Sequence, residues 1–248
     1  MTPKIQLRNL HKAFKGKTIL NGLDLDVYEK ESFVVIGPSG VGKSVLLKCM
    51  LGLMPIDKGS IVVDGEETAT LTSKNRNEFL KKFAIVFQGG ALFDSLTVWE
   101  NVAFGLIQGQ GMSAKQAKPL ALEKLELVGM KALVGEQRPN ELSGGMQKRV
   151  AIARAIIMEP EILLFDEPTA GLDPITADLI NQLIRKCHNE LNITTFTITH
   201  DMSTVHTIAN RVGMLNDGKI IWNGTLKEMR HAKNHFVQKF IHQQAFED

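Results

Sequence analysis

Residues 37–44 read GPSGVGKS, and no other stretch of the chain restricts its fold so tightly. The string fits G-x-x-x-x-G-K-[ST], which arises by chance in roughly one chain of this length in a hundred at average composition. Its glycines, Gly37, Gly40 and Gly42, free the backbone to wrap a small anion with the N–H groups turned inward. Residues 32–36 predict a buried strand ending at Gly37. Val45, Leu46, Leu47, Met50 and Leu51 then fall at helical spacing, with Gly52 as the stop. Strand, glycine-rich turn and helix in that order make a phosphate-binding loop, because the helix turns its positive N-terminal end toward the same anion. An ordinary turn between strand and helix is the alternative, but the flanking elements that the chemistry requires are both present. The expected binding set is Gly37, Pro38, Ser39, Gly40, Val41, Gly42, Lys43 and Ser44. Lys43 reaches the β- and γ-phosphates, and Ser44 offers its hydroxyl to Mg2+.

The other half of such a site lies far downstream. ILLFDEP (162–168) predicts an apolar strand that delivers Asp166 and Glu167 at its carboxyl end, where open α/β sheets bind ligands. Asp166 is placed to hold Mg2+, and Glu167 to orient or deprotonate the attacking water. Alone, an acidic pair reads as a solvated strand end; paired with a phosphate loop it reads as the water side of a nucleoside triphosphate site. These two elements leave the base open, although the chain has no N-K-x-D string of the kind guanine-specific proteins carry.

The rest of the chain supports an α/β fold. Alternation at 23–27 and the run at 61–63 before Asp64-Gly65 predict early strands, antiparallel in appearance. Between about 75 and 160 the periodicity is mostly helical, with helices over 114–127 and 147–158. Strands at 162–165, 193–198, 211–215 and 219–222 then alternate with helices at 176–189 and 202–209, which predicts parallel pairing. With 248 residues, 44% hydrophobic and 23% charged, the composition excludes a disordered or collagen-like chain. The charge of +2, from 29 Lys+Arg against 27 Asp+Glu, gives no footprint for nucleic acid. Two cysteines, Cys49 and Cys187, are too few for a disulfide scaffold and read as small core residues of a protein from a reducing compartment. The N-terminus lacks the apolar region of a secretory signal, and no apolar run reaches 18 residues, so the chain is expected not to cross a membrane by itself.

LSGGM (142–146) lies between the two halves of the site, beginning 142 − 43 = 99 residues after Lys43. With this string the chain resembles the ATP-binding subunits of ABC transporters, from residue 5 to about residue 224. Met146 stands where that family's LSGGQ signature ends in Gln, while Ser143, Gly144 and Gly145 remain at the head of a basic helix. The resemblance implies a P-loop NTPase of ABC type, with a mixed central sheet, a small antiparallel β lobe and a helical lobe at about 90–160. It implies that the signature meets the γ-phosphate held by a second copy of the chain. Gln88, in AIVFQGG, resembles the glutamine that touches Mg2+ and water and reports to the membrane partner. His200, in FTITHD, resembles the switch histidine at the γ-phosphate. Asp173, in AGLD, matches a loop that crosses the dimer interface. Phe14 matches the aromatic residue that stacks on adenine; a Phe near a strand end otherwise packs inward. Lys43, Gln88, Glu167 and His200 are thus the expected catalytic groups, and Ser44, Gln88 and Asp166 the expected metal ligands.

FQGGALFDSLTVWENVAF (87–104), LSGGMQKR and GLDPI further resemble the ATPases of Mla/Mce-type phospholipid transport systems. That implies a multispan membrane permease docked on Ala91, Leu92, Phe93, Val98, Trp99 and Phe104, residues that would otherwise be core. It also implies a place on the cytoplasmic face of the inner membrane, held there by partner subunits. A small accessory subunit and a substrate-binding protein complete the expected partners. A soluble ABC ATPase for protein or iron–sulfur cluster assembly would share the nucleotide motifs and is the alternative. Beyond residue 224 the resemblance fades into a tail, 225–248. There Phe236, Val237, Phe240 and Ile241 share one helical face, either packed on their own domain or offered to a partner. His231, His235 and His242 read as solvated.

Overall fold

The computed structural model describes residues 2–244. The chain opens with a hairpin of β1 (Pro3–Phe14) and β2 (Lys17–Tyr28), in which Leu23, Leu25 and Val27 alternate inward with polar neighbours. β3 (Ser32–Ile36) is buried on both faces and runs into the glycine loop, then α1 (Lys43–Met50). β4 (Lys58–Val63), β5 (Glu66–Glu67), α2 (Ser73–Lys81) and β6 (Phe83–Val86) follow. A capping box of Thr97 and Glu100 starts α3 (Val98–Phe104), and α4 (Ala114–Leu127) comes next. α5 (Gly144–Ile156) begins at the signature, and β7 (Ile162–Asp166) ends on the acidic pair. The last third alternates α6 (Pro174–Leu191), β8 (Thr194–Ile198), α7 (Met202–Ile208), β9 (Arg211–Asn216) and β10 (Lys219–Thr225), then α8 (Leu226–Arg230) and α9 (His235–Gln244).

Among the described residues the strands form two sheets. One is antiparallel, in the order β2-β1-β4-β5; the other is mixed, in the order β10-β9-β3-β8-β7-β6. In the mixed sheet β3, β6, β7, β8 and β9 run parallel, and β10 is antiparallel to β9. The fold is therefore the expected α/β architecture with an antiparallel lobe. Two expectations fail: β10, read among the parallel strands, is antiparallel to β9 because only Asp217-Gly218 separates the two, and the stretch read as mostly helical contains β6, which pairs with β7 from Phe83↔Ile162 to Val86↔Phe165. Four apolar residues, FAIV, are too few to show a period of either kind.

The mixed sheet divides the core. Val34, Ile36, Leu163 and Phe165 face one apolar cluster with α3 to α7; Phe33, Val35, Leu164 and Phe196 face another with α1 and the antiparallel sheet. Both cysteines are buried and free, and burial pushes each thiol up to about 11. In the tail, Val237 and Phe240 are buried in the first cluster and Ile241 packs against it, while Phe236 stays exposed. His231 and His235 are exposed; the side chain of His242 lies outside the described residues.

Candidate functional site

The order β3-β8-β7-β6 sets four parallel strands side by side, so their carboxyl ends form a row. The glycine loop follows β3, His200 follows β8, Asp166 and Glu167 end β7, and Gln88 follows β6. Residues up to 163 positions apart in sequence, 200 − 37, meet there because parallel pairing forces each strand to point the same way.

In the loop, Gly37 has φ 156°, and a Cβ added to it would lie 2.4 Å from the carbonyl oxygen of Leu215. Only glycine fits that close approach to β9. Lys43 is buried. Its Nζ donates to the carbonyls of Gly37 at 2.7 Å and Pro38 at 3.2 Å, and lies 3.6 Å from Glu167 Oε1. Burial lowers its pKa, and the Glu167 charge works against that. Ser44 Oγ donates to Asp166 Oδ1 at 3.2 Å. Burial raises the Asp166 carboxyl above its ordinary range, and the Ser44 bond opposes the rise.

Glu167 occupies the left-handed region, φ 48°, which a residue with a Cβ rarely adopts. Its N–H donates to the carbonyl of Ile198 at 3.0 Å, so the ladder between β7 and β8 continues through the turn. The side chain is thereby sent back over the loop, where Oε2 lies 2.9 Å from His200 Nδ1 and accepts the His200 N–H at 3.3 Å. Non-glycine strain of this kind concentrates at functional sites.

These groups share a cleft of about 360 Å3, lined by Phe14, Ile19, Ser39, Gly40, Gly42, Lys43, Ser44, Val45, Gln88, Glu167 and His200. Phe14 is 40% exposed at the hairpin tip rather than packed inward, with Lys12 Nζ 5.4 Å from its ring centroid. Ile19 and Val45 also line the cleft; Val45 reads in the sequence only as part of a helix and Ile19 as an isolated apolar residue, and neither pattern signals a site. A larger hollow of about 440 Å3, between α1, β4 and α2, is lined by Cys49, Ile61, Phe79, Arg76 and other mostly apolar residues. It holds none of the acids or loop amides that phosphate chemistry uses, so size does not select the site.

The donor set suits a hard cation. Ser44 and Asp166 place a hydroxyl and a carboxylate in contact, and Gln88 opens on the same cleft. A carboxyl penalised by burial is one that a bound cation relieves. Among the described residues no group of three His, Cys, Asp or Glu could hold a metal alone, so Mg2+ would take its remaining oxygens from phosphate and water.

Ser143, Gly144, Gly145 and Asp173 stay outside this cleft. Ser143 caps α5, its Oγ accepting the Met146 N–H at 3.4 Å; Asp173 caps α6, its Oδ1 accepting the Thr176 N–H at 3.0 Å. A Cβ on Gly145 would stand 2.4 Å from Thr176 Cγ2, so the two caps are packed on each other. The expected docking set also divides. Val98 is fully buried and belongs to the core, a correction to its place in a surface groove. Trp99 and Leu92 are partly buried, and Phe93 stays 42% exposed against Phe104, ring centroids 4.5 Å apart.

The profile of the family described as ABC transporter matches residues 20–170. The chloroplastic protein trigalactosyldiacylglycerol 3 of Arabidopsis thaliana is 42% identical, over 95% of this chain and 72% of its own. The probable ribonucleotide transport ATP-binding protein mkl of Mycobacterium leprae is 34% identical, over 96% of this chain and 68% of its own. Among solved structures, the dimeric post-hydrolysis state of the ATP-binding cassette MJ0796 bound to ADP and Pi is similar with a TM-score of 0.81 and 34% identity. It covers 90% of this chain and 98% of that one. The structure of cbiO1 from Clostridium perfringens, part of the ABC transporter complex cbiONQ, gives a TM-score of 0.84 at 29% identity, over 94% and 92%.

Proposed function

The chain belongs to the ABC transporter family of ATP-hydrolysing proteins, and from that premise we propose that two copies close around ATP and Mg2+ to power a membrane permease that moves phospholipids. One observation carries the reading: Glu167 sits between Lys43 and His200 in a cleft that excludes the chain's own Ser143–Gly145 turn and Asp173. In this reading each copy has a phosphate side and a signature side, and the signature side does not line its own chain's cleft.

The loop amides of residues 37–44 and the N-terminus of α1 bind the phosphates, and Phe14 stacks on the base. Lys43 leaves the carbonyls of Gly37 and Pro38 for phosphate oxygen, which also loosens its hold on Glu167. Glu167 then accepts a hydrogen bond from the attacking water, and His200 fixes the carboxylate that does so. Mg2+, when bound through Ser44, Asp166 and Gln88, neutralises charge on the phosphate oxygens. The partner's Ser143–Gly145 turn brings helix N–H groups to the γ-phosphate, and the partner copy's Asp173 crosses beside it.

No helix among the described residues is long and apolar enough to cross a membrane; in this reading a multispan subunit carries the transport. We place the dimer on the cytoplasmic face of the inner membrane, held by that subunit through Phe93 and its neighbours. An accessory subunit and a substrate-binding protein complete the assembly. The relative bearing a galactolipid's name, at 42% identity, favours lipid cargo over the ribonucleotide carried in the name of the 34% relative. The test is purification of the tagged chain from its own membranes. A multispan protein with co-eluting phospholipid is the expected result; recovery from the soluble fraction without a membrane subunit rejects the reading.

A further inference from the structure

Lys148 and Arg154, both on α5, spend their donors on one short segment of backbone. Lys148 Nζ donates to the carbonyl of Gln88. Arg154 donates through Nη2 to the carbonyl of Gly90 and through Nη1 to that of Ala91, each at 2.7 Å. The segment lies along the helix itself: a Cβ on Gly90 would stand 3.7 Å from both Ala151 Cβ and the Gln147 carbonyl. Gly90 and Ala91 both have positive φ, 70° and 49°, and their carbonyls both face Arg154. For Ala91 that conformation is strained and must be held by its surroundings.

Lys148 is also a buried cation, 6% exposed, that forms no salt bridge with any described carboxylate. A structural lysine of that kind costs stability unless its hydrogen bond does something an apolar residue could not. Burial lowers its pKa, and the Asp166 charge works against that. Arg154 reaches further outward, with Cζ 5.9 Å from the ring centroid of Phe93, which itself packs on Phe104.

We infer that Lys148 and Arg154 are positioning residues that fix the backbone of 88–91 to α5, aim Gln88 into the nucleotide cleft, and make the signature helix and the Gln88 segment move as one body. This rests on the proposed role of Gln88. The consequence is a link within one chain. The N-terminus of α5 faces the nucleotide held by the other copy, and Arg154 lies ten residues on, about 15 Å along the helix. A displacement at the signature is therefore carried to Gln88 in the chain's own cleft and to Phe93 at the surface.

The experiment uses the full chain with Lys148→Met, Lys148→Arg and Arg154→Gln, read by amide hydrogen exchange and steady-state ATPase kinetics. The Gly90 N–H donates to the Phe87 carbonyl at 2.8 Å and is a protected reporter. In Lys148→Met and Arg154→Gln, exchange over 87–92 should quicken while that of 150–156 holds. kcat should fall about 10- to 100-fold, as misplaced catalytic geometry does. The KM for ATP should stay within about twofold, because the phosphate loop is untouched. Lys148→Arg should restore both readouts. Unchanged exchange over 87–92 in both variants overturns the clamp. Faster exchange with unchanged kcat, in a background where Gln88→Ala does lower kcat, overturns its catalytic effect. If Gln88→Ala itself leaves kcat unchanged, the reading of Gln88 falls and takes this inference with it, whatever the exchange shows.

Discussion

Two helices of this chain begin on glycines beside a serine, α1 at the phosphate loop and α5 at the signature, and their glycines are there for opposite reasons. At α1 the need is backbone conformation and fixed backbone: Gly40 and Gly42 take φ of 77° and 110°, and a Cβ on Gly37 would meet the Leu215 carbonyl oxygen of β9 at 2.4 Å. At α5 the need is size: Gly145 is helical, and what forbids a side chain is Thr176 Cγ2 at 2.4 Å. The surroundings differ in the same sense. The loop before α1 is closed over by its own chain's Lys43, Asp166 and Glu167, whereas α5 is capped by Ser143 and turned away from that cleft. In the function proposed above, one end is preorganised for phosphate by its own fold and the other is the face offered to a second copy. The division explains why a chain with both motifs is proposed to act as a pair.

The largest expected effect tests whether the α1 side is the chemical one. Glu167→Gln should lower kcat by about 10²- to 10⁴-fold, the usual worth of a general base. ATP binding should persist, and gel filtration with ATP should show a dimer. A normal rate would remove Glu167 from the mechanism; a slow enzyme that stays monomeric with ATP would break the division into two halves. The next effect separates conformation from size. Gly145→Ala should destabilise the fold by about 1–3 kcal/mol through overpacking, read by urea unfolding. Thr176→Ser, which deletes the offending methyl, should recover most of that loss. Gly37→Ala meets a backbone oxygen instead, so no side-chain change can relieve it. Failure of Thr176→Ser to rescue Gly145→Ala would mean that the signature glycine is not there for size.

The two ends also differed in how much of them could be read in advance. The phosphate loop is eight contiguous residues between a strand and a helix, so order in sequence already states order in space. The acidic strand end is legible for the same reason, as the last word of an apolar run, whereas His200 comes only with the family resemblance, since a lone histidine after a strand carries no signal of its own. β6 was lost in the helical middle because FAIV is short, and it becomes a strand only by pairing with β7. Val98 cannot be told from surface residues in the sequence, because apolar side chains at helical spacing look alike whether they face the core or a partner. Lys148 and Arg154 passed as members of a basic helix. Their partners are carbonyls 60 to 64 residues away, and backbone acceptors leave no mark in a sequence. The packing of Val237 and Phe240 into the main cluster is of the same kind, a tertiary contact that the amphipathic pattern of α9 allowed but did not dictate.

A smaller effect probes the rim of the α1 side. Phe14 lines the cleft from the hairpin tip and makes no covalent or ionic contribution, so Phe14→Ala should leave kcat nearly intact. It should raise the KM for ATP by about 2- to 13-fold, the equivalent of roughly 0.5–1.5 kcal/mol of aromatic stacking. Phe14→Tyr should keep the parent value. An unchanged KM in Phe14→Ala would return the residue to an ordinary exposed position at a turn.

The smallest change expected is in stability alone, and it asks whether preorganisation on the α1 side is held against the interest of the fold. Burial raises the Asp166 pKa above that of an unfolded aspartate, with the neighbouring Glu167 charge adding to the rise. The native state therefore binds this proton more tightly than the unfolded chain does. Between the ordinary value near 3.9 and the raised one, stability falls as pH increases, and at neutral pH the ionised carboxylate is a net cost. Asp166→Asn keeps the shape and removes the charge. In nucleotide-free protein it should melt above the parent at pH 7, with the gap closing as pH is lowered through the raised pKa toward 3.9. Adding ATP with Mg2+ should stabilise the parent more than the variant and reverse the order, because a ligand that binds only the folded state adds its binding free energy to stability. An Asn variant that melts lower than the parent without nucleotide would show that Asp166 is held for the fold through its bond to Ser44, and the contrast between a strained phosphate side and a relaxed signature side would lose its energetic half.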